Sequence, residues 1–233
     1  MANIKHFHCN DFGENCYLLW GQDLKVVIID PGCLPGEESE RIFSFIEEKG
    51  LAPAAVLLTH GHFDHIYGVV AMQKRYNIPV YMNPLDGILT EYNVNFPHLL
   101  GMPAPDQNFS TTPVSDGQVL DFGELKFKVI ETPGHTEGSV CYYSEELELV
   151  FSGDTLFAGA IGRTDVPGGD YDKEILSIME KLILLPGATD VLPGHGRPTT
   201  IAAERETNPF LEPFNEPDEP LDPDEITPVT IHR

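Results

Sequence analysis

Short apolar runs along the chain end repeatedly in glycine, aspartate or histidine. They lie at 26–30 before Pro31-Gly32, at 55–60, at 127–132 before Pro133-Gly134-His135, at 149–154, and at 190–192 before Pro193-Gly194-His195. Runs this short, bounded by turn residues, predict buried strands. Stretches with apolar residues at helical spacing lie among them, at 37–49, 68–76 and 171–185. In the last, Ile175, Ile178, Met179 and Leu182 make one face. The runs at 140–143 and 147–151 are separated by a short acidic turn and predict an antiparallel hairpin. Strands joined partly by helices and partly by hairpins predict a mixed α/β fold, and disfavour a purely parallel doubly wound sheet.

The pattern changes past Pro209, where prolines at 213, 217, 220, 223 and 228 alternate with acids and leave no helical period. This predicts a globular body over residues 1–208 and an acidic, Pro-rich tail over 209–233. The tail is read as solvated; the alternative is a strap packed on the body through Phe210, Leu211, Phe214 and Ile226. Nine acids also crowd the last thirty residues, from Glu204 to Glu225, in a chain whose formal net charge is -23. A chain that acidic repels phosphate backbones and anionic headgroups, so neither nucleic acid nor membrane is an expected partner.

At 233 residues, the chain is long enough for one sizeable core. The amino terminus has no apolar run of signal-peptide length, and no stretch approaches the roughly 18 apolar residues of a membrane span, which predicts a cytoplasmic protein. The four cysteines, Cys9, Cys16, Cys33 and Cys141, have neither the spacing of a zinc knuckle nor the density of a disulfide scaffold. They read as reduced residues with packing roles.

The stretch Thr59-His60-Gly61-His62-Phe63-Asp64-His65 is the most informative. A lone histidine is more often structural or merely exposed. Three imidazoles and a carboxylate within six positions exceed what packing needs, and they match the nitrogen and oxygen donors that zinc favours. His135, Asp154 and His195 each follow a glycine at the end of an apolar run, where a missing side chain lets backbone approach a crowded centre. Together these residues supply seven ligands, enough for two ions sharing one carboxylate. His98, in Phe96-Pro97-His98-Leu99-Leu100-Gly101-Met102-Pro103, belongs to a stretch that reads as a pocket wall and not as a ligand source. His6, His8 and His232 are assigned no role.

In the order of these residues the chain resembles the metallo-β-lactamase-like superfamily, with its His-x-His-x-Asp-His signature followed by His, Asp and His. Within it the chain looks like the short bacterial hydroxyacylglutathione hydrolase (glyoxalase II) group. That closer likeness rests on Asn15-Cys16-Tyr17-Leu18, Asp30-Pro31-Gly32, Gly162-Arg163-Thr164-Asp165, Pro193-Gly194-His195-Gly196 and Asn208-Pro209-Phe210. The resemblance implies an αββα four-layer sandwich, the metallo-β-lactamase fold, with the site at one edge of its two sheets. It implies one metal on His60, His62 and His135, a second on Asp64, His65 and His195, and Asp154 bridging them. Two zinc ions are expected, with iron or manganese as alternatives. Asp30 resembles a residue that supports the ligand histidines from behind. Arg163 with Asp165 reads as an ion pair shaping the loop after Asp154, or as a contact for a substrate carboxylate.

Two ions about 4 Å apart lower the pKa of a shared water and polarise a substrate oxygen. The expected reaction is hydrolysis of a small-molecule thioester, of the lactoylglutathione type, with Asp64 and Asp154 as catalytic carboxylates and Asp64 orienting the attacking hydroxide. A second class is open: persulfide dioxygenases of the same superfamily resemble this chain through Gly162-Arg163-Thr164-Asp165 and use one iron, for which His60, His135 and Asp154 could serve. Lactam hydrolysis is disfavoured by Asp154, nuclease activity by the charge, and a purely structural metal site by the number of ligands. Longer glyoxalase II enzymes differ from this chain in carrying a C-terminal helical domain with basic residues for glutathione, where this chain has its acidic tail.

Overall fold

The structure is a computed structural model that describes residues 2–211. A first six-stranded sheet contains β1 (Asn3–Cys9), β2 (Glu14–Trp20), β3 (Lys25–Ile29), β4 (Ala52–Leu57), β5 (Val80–Met82) and β6 (Thr112–Pro113), side by side in chain order. A second contains β7 (Val119–Asp121), β8 (Lys126–Glu131), β9 (Val140–Ser144), β10 (Leu149–Gly153), β13 (Asp190–Pro193) and β14 (Thr199–Thr200). The short pair β11 (Leu156–Phe157) and β12 (Ala160–Ile161) lies between β10 and β13 in the chain. Pairing is mixed, as the sequence predicts. The expected hairpin is β9 and β10, which run antiparallel, whereas β3, β4 and β5 run parallel and are joined by helices.

Alternation along the strands builds the layers. Tyr17, Leu19, Val27 and Ile29 of the first sheet meet Phe127, Val129, Tyr142 and Phe151 of the second in a core between the sheets. The intervening residues Leu18, Val26 and Ile28 face the other way, onto α1 (Glu37–Glu48) and α3 (Val69–Tyr76). On the second sheet Ile130, Cys141, Tyr143, Val150 and Val191 face α5 (Tyr171–Ser177) and α6 (Ile201–Thr207). Period-2 strands with both faces apolar thus separate three cores and give the αββα sandwich. Phe127, Tyr142 and Phe151 are fully buried. Truncating any one to alanine would cost about 3–5 kcal/mol.

Two elements differ from expectation. The helix expected over 171–185 is α-helical only to Ser177 and continues as a π turn over Ile178–Leu182. The wider turn brings Ile178, Leu182 and Ile183 all into the core, and Arg205 donates to the carbonyls of Ile183 and Leu185 that follow it. The wall stretch is also helical: a 3₁₀ turn over Pro84–Thr90 leads into α4 (Tyr92–Leu99), with Pro97 inside its last turn. Of the strap residues, Leu211 is buried in the third core and Phe210 is 41% exposed; Phe214 and Ile226 lie outside the described residues. All four cysteines are buried and unpaired. No helix among the described residues is long and apolar enough to cross a membrane.

Candidate metal centre

All seven predicted residues converge where the two sheets open at one edge. β4 ends at Leu57, so Thr59 to His62 form the loop that leaves it, and Asp64 and His65 lie on the single turn of α2 (Phe63–Ile66). His135, Asp154 and His195 follow β8, β10 and β13. Two three-residue groups result, His60/His62/His135 and Asp64/His65/His195, each with ligand atoms within 4.8 Å of one another. In the first, His62 Nδ1 lies 2.9 Å from His135 Nε2; in the second, His65 Nε2 lies 3.3 Å from His195 Nε2 and His195 Nε2 lies 3.3 Å from Asp64 Oδ2. Asp154 spans the gap. Its Oδ2 is 3.7 Å from His135 Nε2 and 3.6 Å from His195 Nε2, and its Oδ1 is 3.4 Å from His65 Nε2.

These residues fit divalent cations. His60 Nε2 and Asp154 Oδ1 are buried and have no hydrogen-bond partner among the described residues. Orphaned polar atoms of that kind cost about 1–3 kcal/mol each unless something satisfies them. Burial, helped by neighbouring histidines, pushes His60 well below the ordinary imidazole pKa and His62 to about 3. Both are therefore neutral donors. Burial would raise Asp64 and Asp154, yet His65 and His195 beside them hold both carboxyls below the ordinary range. Conversely the two carboxylates raise His65 and His195 against burial. Carboxylates and imidazoles thus stabilise one another's charge, and cations could take the place of those protons.

Close backbone approach needs glycine at two positions. A Cβ on Gly194 would stand 2.3 Å from Asp154 Oδ1 and 2.6 Å from His65 Cε1, and one on Gly153, at φ +51°, would stand 2.3 Å from Thr59 Oγ1. Side chains outside the cluster then fix its loops. Asp30, in left-handed backbone at φ +45°, accepts from the Thr59 N–H at 2.7 Å and the Thr59 hydroxyl at 2.6 Å. Its Oδ2 also lies 3.1 Å from His65 Nδ1, which orients that ring as the resemblance implies. The Arg163–Asp165 pair is bidentate, at 2.8 and 3.1 Å, and the Arg163 carbonyl accepts from His135 Nδ1 at 2.7 Å.

Other supports are not apparent from sequence. Asp86 accepts from Gly61 N–H at 2.7 Å, from Gly138 N–H at 2.7 Å and from the Thr136 hydroxyl at 3.0 Å, and so clamps the His60–His62 loop to the His135 loop. Glu174 on α5 accepts from the His135 N–H at 2.8 Å, and burial pushes its carboxyl up to about 9. Asn15 and Tyr17 on β2 both donate to the Pro193 carbonyl at 2.9 Å and steady the turn that carries His195. Of these, only Asn15 and Tyr17 stand within a motif that drew attention, and the motif did not say what they touch.

Above the cluster opens a cleft of about 440 Å³, onto which His62, Asp64, His135, Asp154 and His195 all face. Phe96, from the predicted wall stretch, lines it, as do Phe12, Tyr92 and Phe157. His98 is exposed and not among the lining residues.

Fold and site together are those of a metal-dependent hydrolase, and the sequence comparisons agree. Residues 9–195 match the family described as the metallo-beta-lactamase superfamily, and the chain belongs to it. It is similar to the probable metallo-hydrolase YqgX of Bacillus subtilis (strain 168), 41% identical over 194 residues that cover 81% of this chain and 92% of YqgX. It is also similar to hydroxyacylglutathione hydrolase GloC of Haemophilus influenzae, 36% identical over 215 residues that cover 90% of this chain and 98% of GloC. Among solved structures, the B3 metallo-β-lactamase BLEG-1 superposes with a TM-score of 0.82 at 36% identity, covering 90% of this chain and 99% of that one. TTHA1623 in a di-iron-bound form gives 0.80 at 38% identity, with 89% and 100% covered. ETHE1 from Myxococcus xanthus gives 0.73 at 28% identity, with 89% and 83% covered.

Proposed function

We propose that this protein is a binuclear metallohydrolase that cleaves thioesters of the hydroxyacylglutathione type. The observation that carries the reading is Asp154, set between two three-residue donor groups and within 3.7 Å of histidines from both. His60, His62 and His135 would hold one ion, Asp64, His65 and His195 the other, and Asp154 both; zinc suits the nitrogen-rich donor set, and TTHA1623 has been solved with two irons. Such a pair supplies a water acidic enough to ionise near neutral pH and a positive charge that polarises the carbonyl oxygen. Asp64, which faces the cleft, orients the attacking oxygen. His65, fixed by Asp30, keeps its Nε2 aimed at the centre. The leaving group needs no acid of its own, since a free thiol has a pKa near 8.5. Similarity to GloC supports the substrate class. Four buried, unpaired cysteines suit a reducing compartment such as the cytoplasm.

A second reading rests on His60, His135 and Asp154, which also stand together, with His60 and His135 ring centroids 4.9 Å apart. One iron on that trio would suit an oxygen-dependent persulfide oxidation. It leaves Asp64, His65 and His195 without a task, and for that reason the hydrolytic reading is preferred. Metal analysis of the isolated protein, with assays against S-lactoylglutathione, glutathione persulfide and a β-lactam, decides among the three chemistries. The expected result is close to two ions per chain and turnover of the thioester; a single iron with persulfide turnover alone would replace the proposal.

A further inference from the structure

The walls of the cleft differ sharply in chemistry from its floor. Apart from the five site residues and Arg163, the side chains lining it are apolar or aromatic. Phe12, Phe96, Phe157, Ile161 and Val166 are among them, with Phe63 beneath. The rings are fastened to one another: Tyr92 stacks on Phe96 at 5.1 Å between centroids, Phe96 meets Phe63 at 5.8 Å, and Phe63 meets Phe12 at 5.2 Å. Phe12 is 40% exposed at the mouth, where a ligand would cover it. Among the described residues Arg163 is the only lysine or arginine on the wall, and Asp165 holds its guanidinium in a two-point ion pair. That pair takes the Nε and Nη2 edge of the guanidinium and balances its charge, so a ligand carboxylate would meet the Asp165 carboxylate beside it.

Resting on the thioesterase reading above, we infer that beyond the hydroxyl-bearing carbon next to the reacting carbonyl this cleft selects an apolar acyl chain, and that Arg163 does not recruit an anionic one. A polar acyl group entering this cleft would exchange water mostly for ring faces, with the Tyr92 hydroxyl as the one neutral polar group among the described wall residues, whereas each methylene buried against those faces adds a favourable transfer term. Phe96 is the specificity-determining residue to test, because it joins the stack to the floor residue Phe63 and touches none of the site carboxylates or histidines in any contact described above.

The test uses the full chain with its metals and a series of glutathione thioesters, acetyl, butyryl, hexanoyl, phenylacetyl and succinyl, so that the thiol is constant. The expected result is a rise in kcat/KM of about threefold to fourfold per methylene from acetyl to hexanoyl, which is the fold-change for one buried methylene. Phenylacetyl should rank near hexanoyl, and succinyl below butyryl. In Phe96→Ala the hexanoyl ester should lose about tenfold while the acetyl ester stays within about twofold, and Phe96→Leu should restore most of the difference. A flat series, or succinyl ranking first, with thioesters still turned over, overturns this inference and leaves the thioesterase reading standing. No turnover of any thioester by metal-loaded protein overturns both.

Discussion

Asp86 and Phe96 stand ten residues apart in the same connection, yet they belong to regions built in opposite ways. Asp86 is buried and spends its carboxylate on three donors from two loops of the floor. Phe96 is half-buried and held by ring contacts alone, on a segment whose neighbours Leu85, Ile88, Leu99 and Leu100 are 48–82% exposed. The floor is over-determined: the segments that carry the histidine donors are tied by hydrogen bonds from outside the cluster, through Asp30, Asp86, Glu174, Asn15 and Tyr17. The wall is packed from interchangeable apolar surface. Hydrogen bonds fix direction to a few tenths of an ångström, which donor geometry needs, while ring packing tolerates substitution, which suits selectivity. One family can therefore keep its reacting centre and vary what enters it.

The largest break should come from the floor. Asp154→Ala removes the carboxylate that lies within 3.7 Å of histidines from both donor groups. Metal content should drop and kcat/KM should fall about a thousandfold, equivalent to about 4 kcal/mol; elemental analysis beside the thioester assay reads both. A step further out, Asp30→Ala frees the His65 ring and the Thr59 loop without removing a donor. Loss of such a supporting residue costs about 10–100-fold in metal affinity or activity. Competition with a chromogenic chelator measures the affinity.

Asp86→Ala should act chiefly on stability. It leaves two buried backbone N–H groups unsatisfied, while the Thr136 hydroxyl keeps Ser139 as a partner, and at about 1–3 kcal/mol per group the loss should reach about 3 kcal/mol. Urea unfolding at fixed metal concentration detects it. At the small end, His98→Ala lies on the exposed face of the wall helix and should keep its metals, with stability within about 0.5 kcal/mol of the parent. A loss of metal in that variant would show that wall and floor are coupled more tightly than their contacts indicate.

The same contrast explains what the sequence revealed. The donors are legible because they are dense in one stretch and because glycine precedes His135, Asp154 and His195, a pattern that packing alone does not require. The sandwich is legible in outline, since apolar runs ending in turn residues do fall on strands β3, β4, β8, β10 and β13. Two of the supports are not: Asp86 and Glu174 stand outside any motif and look like ordinary acids, and only tertiary contact buries them. Nor is α4 legible, because Tyr92–Leu99 has no amphipathic period and Pro97 reads as a helix breaker. It is held instead by the Tyr92–Phe96 stack and by Asn93 donating to the Gly61 carbonyl at 2.8 Å. The π turn at Ile178–Leu182 escapes for a related reason, since a one-residue slip in period is set by the core that receives it.

If the floor performs hydrolysis as proposed, water and not dioxygen is the co-reactant. The most direct test follows S-lactoylglutathione cleavage by metal-loaded protein under strictly anaerobic conditions and compares the initial rate with that in air. The account predicts equal rates, with one thiol released per thioester consumed. A rate that vanishes without oxygen, or persulfide oxidation in air by protein that cleaves no thioester, would contradict it.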